Sequence, residues 1–163
     1  MFGLTTLGII HTAFSLVAVA AGIVCFVRYK EISTGTAAGQ TYLVTTLITA
    51  VTGLGIFQHG GFGPPHVLSI LTIGALAIGT LAAVTAVFGR ASRYVQTIFF
   101  SATFLFHMIP GITETTTRLP LGAPLLPSAD APQLKVATLI FLVVYLIGVT
   151  LQILRLRKAG QPT

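Results

Sequence analysis

Tryptophan is absent from the 163 residues, cysteine occurs once, and only three side chains are acidic. Each scarcity excludes something. One cysteine allows neither an intrachain disulfide nor a Cys-x-x-Cys metal site, and Cys25, set in an apolar run, reads as a small buried hydrophobe. Without tryptophan, any aromatic belt at a membrane interface rests on tyrosines such as Tyr29, Tyr42 and Tyr94. Charged residues make up 7% of the chain, against roughly 25% in soluble domains, which excludes a water-soluble monomer. From Ile32 to Gly89, 58 residues pass without an Asp, Glu, Lys or Arg. One bilayer crossing needs only about 20 apolar residues.

What is present is therefore read as an all-α integral membrane protein, a single domain over 1–163 with five transmembrane helices. Their expected extents are about 4–28, 39–58, 65–89, 93–110 and 134–155. Within the long uncharged run, Gln58 to His66 holds three glycines and two prolines, which cannot continue a helix and must turn the chain. Pro110-Gly111 is expected to end the fourth helix, and four prolines between 111 and 133 leave that segment a loop. Ala18-Val19-Ala20 has the small residues of a signal cleavage site, but no basic residue precedes Arg28, so the first segment reads as a retained helix.

The formal net charge of +6 follows membrane topology rather than a nucleic-acid surface. Arg28, Lys30, Arg90, Arg93, Arg155, Arg157 and Lys158 fall on one side of the expected spans, and only Arg118 and Lys135 on the other. The positive-inside rule then places the N-terminus outside and the C-terminus in the cytoplasm, as in a multi-pass protein of a bacterial inner (plasma) membrane. In that topology His11, His59, His66 and His107 all belong to the outer half of the bilayer.

Small and polar residues mark the faces on which membrane helices pack. The expected inward stripes are Gly8, His11, Ser15, Ala18, Gly22 and Cys25 on the first helix and Thr41, Thr45, Ile48, Thr52, Gly55 and His59 on the second. The third is read as His66, Ile70, Ile73, Ala77 and Thr80, the fourth as Gln96, Phe100, Thr103 and His107, and the fifth as Thr138, Phe141, Tyr145, Gly148 and Gln152. The spacing of the fourth stripe, carried on, lands on Glu114. A faint duplication relates helices 1–2 to helices 3–4, each a hairpin running from an outer histidine through a basic link to another.

An ionisable side chain inside a membrane is a functional hypothesis by default. Two inward histidines on facing helices, His11 and His107, suit axial ligation of a haem iron. That pairing resembles membrane b-type cytochromes, in which a bis-His haem sits between bundle helices. The resemblance covers the first and fourth helices only and implies haem b and electron transfer with a membrane redox partner. The second reading is a Zn, Cu or Fe site drawn from His11, His59, His66, His107 and Glu114, with the chemistry of a metal-dependent membrane enzyme. The third is a cofactor-free structural or assembly subunit, partnered by lipid, a larger complex or further copies of itself. Glu114 and Arg118, four apart, also read as a simple helical ion pair.

Overall fold

Hydroxyl groups start the first two helices. The Thr5 hydroxyl accepts the Gly8 N–H at 3.1 Å and that of Thr36 accepts Gly39 N–H at 3.1 Å, each satisfying one of the orphan donors of a first turn. The third helix opens on Pro64 and Pro65, whose fixed φ suits positions that need no N–H partner. The computed structural model describes residues 5–57, 61–85 and 87–159. Among them, five α-helices and no strand are found: α1 (Thr6–Val24), α2 (Ala37–Gly53), α3 (Pro64–Val84), α4 (Ser92–Arg118) and α5 (Pro132–Ala159). A π-helical turn, Cys25–Tyr29, continues α1, and a 3₁₀ turn, Gly89–Ala91, leads into α4. With these turns included, α1, α3, α4 and α5 are long and apolar enough to cross a membrane.

α2 is shorter. Its 17 residues span about 25 Å at about 1.5 Å per residue, and it stops at Gly53 instead of reaching 58. Gly53 and Gly55 bracket the stop, where the backbone tightens into Leu54–Val51 and Gly55–Thr52 bonds. α3 likewise ends at Val84, before the expected 89, while α5 is longer than expected at both ends.

The largest departure is α4. It does not end at Pro110 but runs on to Arg118, so residues 111–118 are helix rather than loop. Proline removes one N–H and crowds the preceding turn, yet membrane helices tolerate it when other groups take up the freed carbonyls. Past the proline the hydroxyls of Thr113, Thr115, Thr116 and Thr117 each donate to the carbonyl four residues back, adding bonds to the continuing turns, though none reaches Phe106 C=O, the carbonyl that Pro110 leaves free. The following loop folds back to bond the helix, with Leu126 N–H donating to Thr116 C=O at 3.0 Å.

α1 packs on α2, α2 on α3, α3 on α4 and α4 on α1, closing a four-helix ring, while α5 lies outside against α4. At one end, called the basic end, Arg93 pairs with Glu31 at 3.1 Å, Gln152 donates to Lys30 C=O and Arg155 donates to Tyr29 C=O. The half of the ring nearest that end is filled by large side chains. Ile32, Tyr42 and Phe100 are buried there with Ala18 and Cys25, and Phe26 and Phe104, which meet each other edge to face at 5.1 Å, pack against them. Gly79 lets α3 come this close: a Cβ there would sit 2.5 Å from the Phe100 ring. Tyr42, expected at an interface, is instead fully buried. Its hydroxyl donates to Thr103 Oγ1 at 2.7 Å, because the Thr103 proton is already given to Phe100 C=O.

Large apolar side chains cover the outside, including Leu139, Ile140, Val143, Val144, Leu146 and Ile147 on α5. A water-soluble monomer rarely exposes so continuous an apolar surface.

Candidate functional site

The other half of the ring is built from small and hydroxyl-bearing residues, and a cavity of about 190 Å³ remains there. Gly8, Thr12 and Ser15 come from α1, Thr46, Thr49 and Gly53 from α2, and Ser69 and Thr72 from α3. His11 and His107 both line it, so two of the four histidines meet at one space. Glu114 and Arg118, joined as an ion pair and partly exposed, stand at its rim. They reach it only because α4 continues past Pro110.

His11 is held by α2. Its Nδ1 lies 3.0 Å from Thr49 C=O and 3.3 Å from Thr52 Oγ1. A carbonyl only accepts, and the Thr52 proton is already given to backbone oxygens of its own helix. Nδ1 must therefore carry the proton, and in the neutral ring Nε2 holds the lone pair. Nε2 has no hydrogen-bond partner among the described residues. Gly53 makes room for the ring, since a Cβ there would lie 3.3 Å from His11 Cε1 and 2.5 Å from Ser69 Oγ.

His107 is buried and engaged at both nitrogens. Nδ1 is 3.3 Å from Ser15 Oγ on α1 and Nε2 is 3.1 Å from Thr46 Oγ1 on α2. Three helices thus meet through one imidazole.

His66 stands apart from the cavity. Its ring is buried between Phe57 and Phe62, with centroids 4.5 and 5.2 Å away, and its Nδ1 accepts the Gly63 N–H at 3.2 Å. That bond fixes the tautomer opposite to that of His11, leaving Nε2 protonated in the neutral ring. Its role is to start α3. His59 lies outside the described residues.

The wall has a definite hydrogen-bonding character. Thr12, Thr49 and Thr72 all donate to the carbonyl four residues back, at 2.9, 2.8 and 2.8 Å. What they present to the cavity is oxygen lone pairs. Together with His11 Nε2 they set acceptors into a wall that is otherwise largely apolar, through residues such as Ile56, Leu68 and Phe106, with Ser69 Oγ free to act either way and Arg118 the cation at the rim.

The groups considered from the sequence fit this site unequally. Pockets for drug-sized molecules hold about 300–1,000 Å³, and a porphyrin is at least drug-sized, so the cavity is too small for haem between His11 and His107. His107 would also have to give up a hydroxyl partner to bind iron. Among the described residues no three of His, Cys, Asp and Glu gather into a set that could hold a metal ion, whereas zinc sites take three or four such ligands.

Sequence reasoning placed the α1, α4 and α5 faces on the stripes the structure packs, but it misjudged two others by one residue. α2 buries Tyr42, Thr46, Thr49 and Gly53 along with the expected Thr45, while Thr41 is exposed, and α3 buries Ser69, Thr72, Leu76 and Gly79 along with the expected His66, while Ile70, Ala77 and Thr80 are exposed. Thr46 and Thr49, the direct partners of the two histidines, and Ser69 were missed for this reason. The same 3–4 spacing that marked the other helices runs through both true stripes. Comparison of the chain with known protein families, with curated proteins and with solved structures finds no match.

Proposed function

We propose that this is a five-span membrane protein, N-terminus outside and C-terminus cytoplasmic, that binds a small donor-rich solute within the outer half of the bilayer. The observation that carries the reading is His11: its tautomer is set by the Thr49 carbonyl, and its Nε2 lone pair is left at a cavity walled by threonine oxygens. A solute bearing N–H or O–H groups, such as a small amine or polyol, satisfies those acceptors. His11 would take a hydrogen bond, or a proton, from it. His107 positions the walls by tying α1 and α2 to α4. Five spans and the orientation are supported by the uneven loops, seven cations against two, and by the contacts that gather Lys30, Arg93 and Arg155 at one end. A single metal ion anchored on His11 Nε2 is a weaker form of the same reading. Haem-based electron transfer is the least supported.

A second reading, a subunit of a larger membrane assembly, is favoured by α5, of whose 28 residues only Leu134, Val149 and Leu156 are buried.

The test is carbethoxylation of the protein in lipid nanodiscs with diethyl pyrocarbonate, read per residue by mass spectrometry, alongside an absorption spectrum and metal analysis. His11 is expected to react through its free nitrogen and His107 to be protected, with no Soret band and no stoichiometric metal. Equal protection of both histidines would refute the open His11 site. Protection together with a Soret band would restore haem.

A further inference from the structure

The second large space in the molecule lies away from the histidines, on the lipid-facing side where α5 meets α1 and α4. It is a groove of about 730 Å³ walled by Phe26, Phe104 and Phe141 and floored in part by Gly148. At its basic end stand Lys30 and Arg155. The π turn of α1 shapes this wall: Phe26 lies within the turn, and Lys30 ends it in a left-handed conformation, φ 66°. Arg155 donates once to Tyr29 C=O and Lys30 once to Val27 C=O, which anchors both cations and leaves them further N–H donors. Of the three carboxylates in the chain, Glu31 pairs with Arg93 and Glu114 with Arg118, so neither groove cation has an acidic partner among the described residues.

We propose that this groove binds one phospholipid with an anionic headgroup, its phosphate at Lys30 and Arg155 and an acyl chain lying along α5. The dimensions agree. At about 1.5 Å per residue, the wall from Phe141 to Arg155 is about 21 Å long, more than the depth of one leaflet's hydrocarbon, about 15 Å. An acyl chain entering beside Arg155 is accommodated over its whole length against apolar side chains. The two unpaired cations complement the net charge of an anionic lipid; a zwitterionic lipid offers the same phosphate but brings a headgroup cation that the pair repels, and an uncharged lipid offers no anion.

The experiment is native mass spectrometry of the full-length protein released from nanodiscs, comparing phosphatidylglycerol with phosphatidylcholine of identical chains. One phosphatidylglycerol is expected to remain bound, with phosphatidylcholine lost. Lys30→Gln and Arg155→Gln should each lower retention about fivefold, as expected for one cation at an anionic membrane surface. Gly148→Leu should abolish retention with both cations intact. A Cβ at Gly148 meets nothing within 4 Å, so the new side chain starts into the open space of the groove. Arg157→Gln, outside the groove, should leave retention unchanged.

Equal retention of the two lipids would overturn the proposal. Loss in the charge variants but not in Gly148→Leu would reduce it to surface attraction. Loss in Gly148→Leu alone would mean a neutral apolar occupant instead. Size-exclusion profiles and helical circular dichroism identify any variant that fails through misfolding, and the lipid comparison in the unaltered protein stands regardless.

Discussion

The pair of hydrogen bonds on His107 can be separated by substitution, because both partners line the cavity but the bond to Thr46 is buried and the bond to Ser15 only partly so. Thr46 is fully buried, and its 3.1 Å bond to Nε2 is sealed within the bundle. Ser15 lines the cavity, and its 3.3 Å bond to Nδ1 is only partly buried. Thr46→Val keeps the shape and removes the hydroxyl. Side-chain hydrogen bonds inside membranes average about 0.6 kcal/mol and reach about 1.7, while an abandoned buried partner costs about 1–3 kcal/mol. Thr46→Val should therefore destabilise by about 1–2 kcal/mol, a factor of about 5–30 in the folding equilibrium. Ser15→Ala should cost less than about 0.6 kcal/mol, because water in the cavity can take the place of the lost hydroxyl. The double variant leaves His107 only that water, and because the two hydroxyls share one imidazole its cost should depart from the sum of the single costs by about 0.5 kcal/mol or more. The assay is reversible unfolding in bicelles, followed by tyrosine emission. If Ser15→Ala proves as damaging as Thr46→Val, the cavity is not hydrated beside His107 and the reasoning fails.

Three further substitutions probe the rest of the bundle. Gly79→Ala drives a methyl into the buried Phe100 ring and should cost about 1–3 kcal/mol, whereas Gly74→Ala on the same helix meets nothing and should be neutral or slightly stabilising; thermal melting in detergent compares the two. Tyr42→Phe removes the proton given to Thr103 but leaves Thr103 bonded to Phe100 C=O, so a loss of about 0.5–1 kcal/mol is expected, smaller than for Thr46→Val. Glu31→Gln breaks an ion pair whose arginine is largely exposed and should change stability by less than about 0.5 kcal/mol, a difference that molar salt erases.

The all-helical bundle was legible because helix-length apolar stretches leave few alternatives, and the meeting of His11 and His107 was legible because ionisable side chains are scarce within those stretches. The faces of α2 and α3 were not. α2 offers two adjacent stripes, Thr41-Thr45-Ile48-Thr52 and Tyr42-Thr46-Thr49-Gly53, that differ by one residue and are equally small and polar. What selects the second is tertiary: the Tyr42 hydroxyl needs Thr103, and two imidazoles need Thr46 and Thr49. The length of α4 was obscured by Pro110. In a solvated helix the proline is a sound stop, but here the helix continues past it, with threonine hydroxyls adding bonds to the turns beyond.

Why the open space lies at the histidine end follows from how side-chain volume is distributed along the helices. Toward the basic end, Phe26, Ile32, Tyr42, Phe100 and Phe104 all turn inward, and they fill the ring so closely that glycine is required at 22 and 79. Toward the other end, the inward positions are Gly8, Ser15, Thr49, Gly53, Ser69 and Thr72, which are too small to meet across the ring at the helix spacing those aromatics impose. The helices cannot close further there, because one rigid ring sets the distance at both ends. A void is the result, with hydroxyls and the two histidines set among apolar side chains such as Ile56, Leu68 and Phe106. An empty apolar void would only weaken packing, whereas a void of acceptors in a membrane is an unmet demand for donors. Water or a solute must answer that demand, and His11 Nε2 stands there with Ser69 Oγ, neither having a hydrogen-bond partner among the described residues.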